Sequence, residues 1–594
     1  MGTRSPFLAA SAHYFQRFFT AFRPPCARGE TPFRMTALFS TAPPSAARSP
    51  WNRRAFHARS APAVNRSAFR LTLLALAAAA LCGCGRVPDR AELVFINGAE
   101  PELLDPPLIT AQATSRVGYA LFEGLTSFDS KGVPQPGVAE RWEVSPDALH
   151  YTFHLRHNAQ WSNGDPVTAE DFLYSWRRTL LPATASEYAY QLYYIRGAKD
   201  FGEGKTKDFG TVAVRAPDAY TIEITLENPT PFFLDLCAFS TLLPVHRATV
   251  EKYSDWASKP AHFMGNGPFL LKEWRPFDRV RLVKNPRYWN AASVAMKSVD
   301  VLPAARPHTA FNFYATGIAD LMMDKGLAPT PLLGELKKRP DFHAAPFLGN
   351  YFFRFNTKRK PFDDPRVRKA FALVVDKPYL VEHITRAGEV PATSFVPPGA
   401  GTGYAPPPGL ERDVEKARKL LAEAGYPEGR GFPVVYYLYR SDSDLDQDIA
   451  VELQNMFRRD LGVTIQLARQ EWTVYLNSQS KLDYDMCRSS WVGDYNDPNT
   501  FLDMFLTDGG NNRTGWSSAP YDQLIASAAR EVDGKKRFDI FREAERMLVS
   551  EEMPICPLYY YVGIQFYDPE RLGGIEPNLL DEHPIKAMYW KKSR

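Results

Sequence analysis

The chain has 594 residues, with 71 Lys+Arg against 67 Asp+Glu and a formal charge of +4. That figure conceals an asymmetry: residues 1–84 hold eleven arginines, no lysine and one acid, which leaves 60 basic against 66 acidic side chains in the remaining 510 residues. This mildly acidic body has no basic stripe of the kind that follows nucleic-acid phosphates, so nucleic acid is not an expected partner.

Arg53, Arg54, Arg59, Arg66 and Arg70 precede an apolar run from Leu71 to Leu81, which ends in Cys82-Gly83-Cys84. A basic flank, a short apolar run and small residues before the cut compose a secretory signal. The run is well short of the roughly 20 residues that a spanning helix needs. Leu-Cys-Gly-Cys resembles a lipobox, whose last cysteine, Cys84, would become the acylated N-terminus. A soluble body tethered to a membrane outside the cytoplasm is therefore expected. Residues 1–52 are long for a signal flank and rich in Ala, Pro, Ser and Arg, which points to a start assigned too far upstream.

A body of this length exceeds one core, so two or three lobes are expected. Cys237, Cys487 and Cys556 are widely spaced and odd in number. They cannot form a disulfide framework, and buried free thiols are the expectation. No CxxC pair occurs, and His154 and His157 have no ligand partners in the sequence, so neither a metal site nor a cofactor is indicated.

Strand and helix signals alternate along the body. Tyr151-Thr-Phe-His-Leu-Arg156 and Tyr220-Thr-Ile-Glu-Ile-Thr-Leu226 have the period-two alternation of half-buried strands. Asp413 opens and Gly425-Tyr-Pro427 closes a helix with the usual start and stop residues. Further helices are predicted over 168–180, 365–374 and 443–460. The result is an α/β protein with mixed sheets. Aromatic residues make up 13% of the chain, clustered at Tyr188-Ala-Tyr190-Gln-Leu-Tyr193-Tyr194, Tyr351-Phe-Phe353 and Tyr559-Tyr-Tyr561. Most belong in a core, and some suit a wet pocket that accepts varied side chains.

A series of motifs then occurs in order: Leu104-Asp-Pro106, Leu121-Phe-Glu-Gly-Leu125, Pro136-Gly-Val-Ala-Glu140, Trp161-Ser-Asn-Gly-Asp-Pro-Val-Thr-Ala-Glu-Asp-Phe172, Gly265-Asn-Gly-Pro-Phe269, Asn285-Pro-Arg-Tyr-Trp289, Leu420-Leu-Ala-Glu-Ala-Gly425 and Trp491-Val-Gly-Asp-Tyr-Asn-Asp-Pro498. From about Val94 onward the chain resembles the oligopeptide-binding proteins of solute-binding protein family 5, which feed ABC importers and include oligopeptide and murein-peptide receptors. The resemblance implies a periplasmic-binding-protein (Venus-flytrap) fold. Lobe I would comprise 91–122, 245–348 and 561–594, an extra domain 123–244, and lobe II 349–560. It implies a short peptide as ligand, a permease and ATPase as partners, and a monomer in an extracytoplasmic location.

A receptor for peptides of many sequences must bind what they share, the backbone and the two termini. Exposed strand edges suit the first, and opposite charges suit the second. By resemblance Asp494 holds the ligand's α-amino group, and Ser490 and Val492, flanking Trp491 and followed by Gly493, pair with its backbone. Arg488 matches a position that receives the ligand's carboxylate, to which a guanidinium is well suited. Trp472, Trp491 and Tyr188 match pocket-lining aromatics, and Thr110 and Gln112 lie in a stretch that would supply a second ligand-pairing strand. Two departures stand out: no acid lies near Thr110, and Asp446 occupies a position that is histidine in some relatives. Peptides of two to five residues are expected, with murein-derived peptides as an alternative. A peptide sensor or chaperone is a further alternative. An exported peptidase is disfavoured, since no Gly-x-Ser-x-Gly, His-Glu-x-x-His or paired Cys/His occurs.

Overall fold

The computed structural model describes residues 90–592. The signal segment and Cys84 lie outside the described residues. In chain order the strands used below are β1 (Leu93–Gly98), β2 (Ala139–Val144), β3 (His150–Leu155), β4 (Val214–Asp218), β5 (Thr221–Thr225), β6 (Phe269–Arg275), β7 (Arg279–Lys284), β8 (Ser298–Pro303), β9 (Leu321–Met323), β10 (Phe342–Phe355), β11 (Tyr436–Arg440), β12 (Gln466–Gln470), β13 (Met486–Val492) and β14 (Ile555–Tyr567). The helices are α1 (Gln112–Leu121), α2 (Ala169–Leu180), α3 (Pro365–Leu373), α4 (Val414–Glu423), α5 (Asp444–Leu461) and α6 (Trp472–Ser480).

The two alternating segments become neighbours, β3 and β5, with Tyr151 opposite Ile224 and Phe153 opposite Ile222. The alternate residues Tyr151, Phe153, Leu155, Ile222 and Ile224 are buried, as the pleat requires when one face is covered. With β2 and β4 they form a four-stranded antiparallel sheet in the order β2-β3-β5-β4. The predicted helices form as α2 to α5, and each N-terminus is satisfied by a side chain. Thr168 and Asp171 make a capping box on α2, Asp364 accepts from Arg366 N–H, Asp413 from Lys416 N–H, and Ser443 from Asp446 N–H. Cys237, Cys487 and Cys556 are free and buried.

The larger sheet runs β12-β11-β13-β10-β14-β9-β1-β8-β7-β6. Its two central strands, β10 and β14, have 14 and 13 residues, more than twice the common length of about six. Every residue of β14 is buried, and its near-continuous apolar sequence fits a strand covered on both faces. The β10–β14 register breaks between Pro346 and Asn350. On one side of that break lie β9, β1 and β8, and on the other β13, β11 and β12. The two long antiparallel strands are therefore the shared spine of two half-sheets.

Several motifs prove to be joints between segments. Glu123 is buried and accepts from Tyr288, from Trp289 at 2.5 Å and from Lys586 at 3.0 Å. Its backbone N–H and carbonyl are both held by the Asn266 amide, at 3.0 and 2.9 Å. A Cβ at Gly267 would meet the Leu121 carbonyl carbon at 2.5 Å, so this motif needs glycine for close backbone contact. Asp105 takes a bidentate bond from Arg178 at 2.8 and 2.6 Å. Asp497 does the same with Arg537 at 2.7 and 2.8 Å, and both are almost fully buried. Among the described residues no helix is long and apolar enough to cross a membrane.

The Asp497–Arg537 pair yields a stability prediction. Arg537→Leu leaves a buried carboxylate without its partner, which costs about 3–5 kcal/mol. A denaturant titration is expected to show the midpoint falling accordingly, and an unchanged midpoint rejects the pair as an anchor of the 494–499 loop.

Candidate functional site

The site begins with an unpaired stretch of strand. β10 pairs with β13 along its length, from Gly349 opposite Val492 to Phe355 opposite Met486. On the other side β11 pairs only with Met486 and Cys487. Among the described residues, the outer edge of 488–492 therefore has no strand beside it. Along a strand the backbone groups of alternate residues point to the same side. The Arg488 carbonyl faces outward, accepting from Tyr475 and from Gln479 Nε2 at 2.9 Å. Gly493 N–H faces inward, to the Leu348 carbonyl at 2.8 Å. Hence Ser490 and Val492 present N–H and C=O on the open edge, while Ser489 and Trp491 bond within the sheet.

The edge leads into a cavity of about 260 Å³. Its wall includes Thr110, just before α1, and Gln112, the first residue of α1, so that a helix start stands where a ligand-pairing strand was expected; Tyr188; Val492 at the end of β13; and Gly493 and Asp494 after it. Six of the ten side chains expected at the site thus come together from three distant segments. Gly493 is required there: a Cβ would sit 2.7 Å from Leu348 Cδ2.

Asp494 is the chemical centre of this cavity. Its Oδ2 accepts from Gln191 Nε2 at 2.8 Å and from the Tyr190 hydroxyl at 3.2 Å, and among the described residues no cation pairs with it. Burial pushes its carboxyl up to about 7, with the Tyr190 and Gln191 bonds opposing. Behind it Tyr495 stacks on Phe232 at 3.9 Å, and Tyr194, Tyr495 and Asn499 form a hydrogen-bonded chain. The groups that hold Asp494 are neutral donors and aromatic faces, so the cavity offers a negative charge without a counter-charge.

The sequence pattern described as bacterial extracellular solute-binding proteins, family 5 middle, matches residues 133–513. The periplasmic oligopeptide-binding protein of Salmonella typhimurium is 36% identical over 532 residues, 87% of this chain and 97% of that protein. The Escherichia coli murein tripeptide binding protein superposes with a TM-score of 0.75 at 34% identity, covering 85% of this chain and 99% of that one. Haemophilus influenzae OppA in complex with RPPGFSPFR gives 0.73 at 31%, covering 84% and 99%. The chain belongs to family 5 of the bacterial extracellular solute-binding proteins. It is a binding protein with the two-lobed fold of that family, and its spine strands β10 and β14 lie where the half-sheets meet.

Four expected site residues lie elsewhere in this family member. Ser490 is on the open edge, and Trp491 packs into the core around Phe352 and Phe501. Trp472 is 40% exposed, stacked on Tyr475 with Arg440 over its ring at 5.0 Å. Arg488 is buried against Asp446, Nε to Oδ2 3.2 Å, and lies over the Tyr351 ring at 4.8 Å. Asp446 also accepts from the Tyr351 hydroxyl at 3.0 Å, so much of the Arg488 charge is met inside the protein.

Two charged residues were missed by sequence reasoning. Lys325 Nζ lies 2.9 Å from the centre of the Tyr561 ring and 5.0 Å from that of Phe347, and makes no ion pair among the described residues. Burial pulls its ammonium down to about 7, with Asp324 opposing and Arg488 reinforcing. Glu582 lines the Asp494 cavity. Neither stands in a motif that marks a site; the fold brings Glu582 to the cavity wall and Lys325 onto the Tyr561 ring.

The Asp494 environment makes a sign-definite prediction for the ligand-free protein. Between the unfolded carboxyl's ordinary value and about 7, the folded state holds a proton that the unfolded state has lost, so stability falls as pH rises through that window. Asp494→Asn is expected to stabilise the ligand-free protein by about 1–3 kcal/mol at pH 8 and by little at pH 4. Thermal melts at the two pH values check this, and equal shifts reject a desolvated carboxylate.

Proposed function

We propose that the protein captures short peptides between its two lobes outside the cytoplasm and hands them to an ABC permease. The observation that carries this reading is Asp494, a cation-free carboxylate at the end of an open strand edge. A peptide's α-ammonium supplies the missing charge, and its backbone pairs with Ser490 and Val492 without regard to side chains. The relatives' names, an oligopeptide-binding and a murein tripeptide binding protein, agree with it.

The lobe assignment we adopt is 91–122, 245–348 and 561–594 for lobe I, 123–244 for the extra domain and 349–560 for lobe II. It is supported by the four-stranded sheet falling within 123–244 and by the register break at 346–350 in the spine. At the ligand's carboxyl end we assign Lys325 beside Arg488. Lys325 lies on Tyr561, whose ring approaches Gly349, the partner of Val492 in the sheet. Val492 is two strand steps from Asp494, roughly 7 Å, whereas Arg488 is six steps away, roughly 20 Å. Short peptides reach the first and longer ones the second. Cys84 is assigned as the lipid-bearing N-terminus of the mature protein.

Binding is tested first by native mass spectrometry of purified protein, where a ladder of short peptide masses is expected and a single non-peptide mass overturns the substrate. Asp494→Ala is expected to lower peptide affinity by two to three decades, the equivalent of about 3–5 kcal/mol for a stranded ammonium. In the intact protein affinity is expected to fall as pH drops below about 7, by up to tenfold per unit, because the free carboxyl then holds a proton that must leave. Asp494→Asn flattens that limb, and calorimetry between pH 5 and 8 decides. For the anchor, Cys84→Ser is expected to abolish incorporation of labelled fatty acid in cells.

A further inference from the structure

The cavity that holds Asp494 has a second carboxyl in its wall. Glu582 lines it together with Tyr119, Phe128 and Leu580. The Glu582 backbone is pinned, its N–H donating to Asn578 Oδ1 at 3.2 Å and its carbonyl accepting from Asn578 Nδ2 at 2.9 Å. Its carboxyl group, by contrast, makes no hydrogen bond or ion pair among the described residues. The neighbouring cations are engaged elsewhere. Lys586 sits on Glu123 at 3.0 Å and Ser127 at 2.8 Å. Arg116 donates to the Met323 carbonyl at 3.1 Å and faces Asp324 at 3.8 Å and Asp581 at 3.9 Å. His583 is held by Asp581 at 3.1 Å and Gln565 at 3.2 Å. Burial pushes the Glu582 carboxyl up to about 8, with Arg116 opposing and Asp581 adding.

A separate observation points the same way. Gln191 is only 1% exposed and gives its amide nitrogen to Asp494, yet its Oε1 has no partner. A buried acceptor left in this way costs free energy until a donor reaches it. Asp494, Gln191 Oε1 and Glu582 thus set acceptors in and beside one cavity that contains no cation. At about 260 Å³ the space is more than an ammonium group alone fills. The wall also offers the apolar faces of Tyr119, Phe128 and Leu580.

We propose that Glu582 is a specificity-determining residue that selects peptides whose first residue is lysine or arginine. The inference rests on the peptide-receptor reading above. The ligand's α-ammonium meets Asp494, the aliphatic stem of its first side chain packs on Tyr119, Phe128 and Leu580, and the terminal cation meets Glu582. Long basic side chains pack in this divided way, stem on apolar surface and head on a polar group. A neutral first side chain leaves Glu582 protonated and is tolerated. An acidic one faces two carboxyls and is rejected, so part of the selectivity comes from repulsion.

The test is calorimetry on the full-length protein, purified in detergent and stripped of bound ligand, with three tripeptides: Lys-Ala-Ala, norleucine-Ala-Ala and Glu-Ala-Ala. Norleucine keeps the stem of lysine and removes the charge. The lysine peptide is expected to bind at least tenfold more tightly than the norleucine peptide, and the glutamate peptide most weakly. Glu582→Gln is expected to bring the lysine-to-norleucine ratio within about threefold. Equal affinities in the parent protein, or a lysine preference that survives Glu582→Gln, overturn the inference while leaving the receptor reading intact. If no tripeptide binds and no peptide co-purifies, the receptor reading itself falls and the inference with it. Should Glu582→Gln fail to fold, the lysine-to-norleucine ratio of the parent protein decides alone.

Discussion

A carboxylate taken out of water and given only neutral donors is the constraint around which this structure is arranged. An ion in that position is costly unless something charged answers it. Around Asp494 the protein provides a tyrosine hydroxyl and an amide instead. The strain is visible in the neighbours. Burial and the Asp494 charge together push the Tyr188 and Tyr190 hydroxyls upward, and Asp503 is pushed to about 8 by burial with Asp494 and Asp497 reinforcing. Such an arrangement holds only if its scaffold is firm, and the scaffold is the buried Asp497–Arg537 pair three residues beyond. Stability surrendered at one carboxylate is recovered when a cation arrives.

The sheet explains how that carboxylate is presented. β13 is paired on both sides only at Met486 and Cys487, then continues with one edge free for five residues before the chain turns at Gly493. Gly493 keeps the turn against Leu348, in the spine strand β10, which has no room for a Cβ. The open edge and the charged end are therefore fixed to the strand about which the two half-sheets meet. The facing wall, Tyr188, Tyr190 and Gln191, comes from the segment that carries the small antiparallel sheet. Contacts such as Tyr194 to Tyr495 tie the two walls across some 300 residues of sequence.

Much of this was legible in the chain, for identifiable reasons. The strands β3 and β5 were readable because one face is solvated and the alternation is clean. The helices α2 to α5 were readable because each has a capping side chain at its start. β14 had no such signal: buried on both faces, it shows a continuous apolar run that periodicity cannot separate from a helix. The motif Trp491-Val-Gly-Asp-Tyr-Asn-Asp-Pro498 marked the site, yet the division of labour within it needed the fold, since Asp494 faces the cavity while Asp497 is a structural anchor. Glu123, Asn266 and the pair Tyr288 and Trp289 stood in three separate motifs and converge on one joint. Lys325 and Glu582 were invisible because a lone charged residue in a sequence has no stated partner, and what distinguishes these two is the lack of one after folding.

The departures in the sequence also take on a physical meaning. Asp446 lies 3.2 Å from Arg488 and accepts from the Tyr351 hydroxyl. A carboxylate there answers the guanidinium internally, so the positive potential that Arg488 projects into the cleft is reduced. Lys325, stacked on Tyr561 and without an ion pair among the described residues, is a second cationic group beside Arg488, although burial pulls its ammonium down to about 7. The missing acid near Thr110 is matched by Glu582, which comes from the far C-terminal segment to the same cavity wall. Charge has been relocated in both places while the cleft keeps its polarity, acceptors at one end and cations at the other. On the proposed reading that polarity aligns a zwitterionic chain in one direction, and the spacing between the two ends sets which ligand lengths fit.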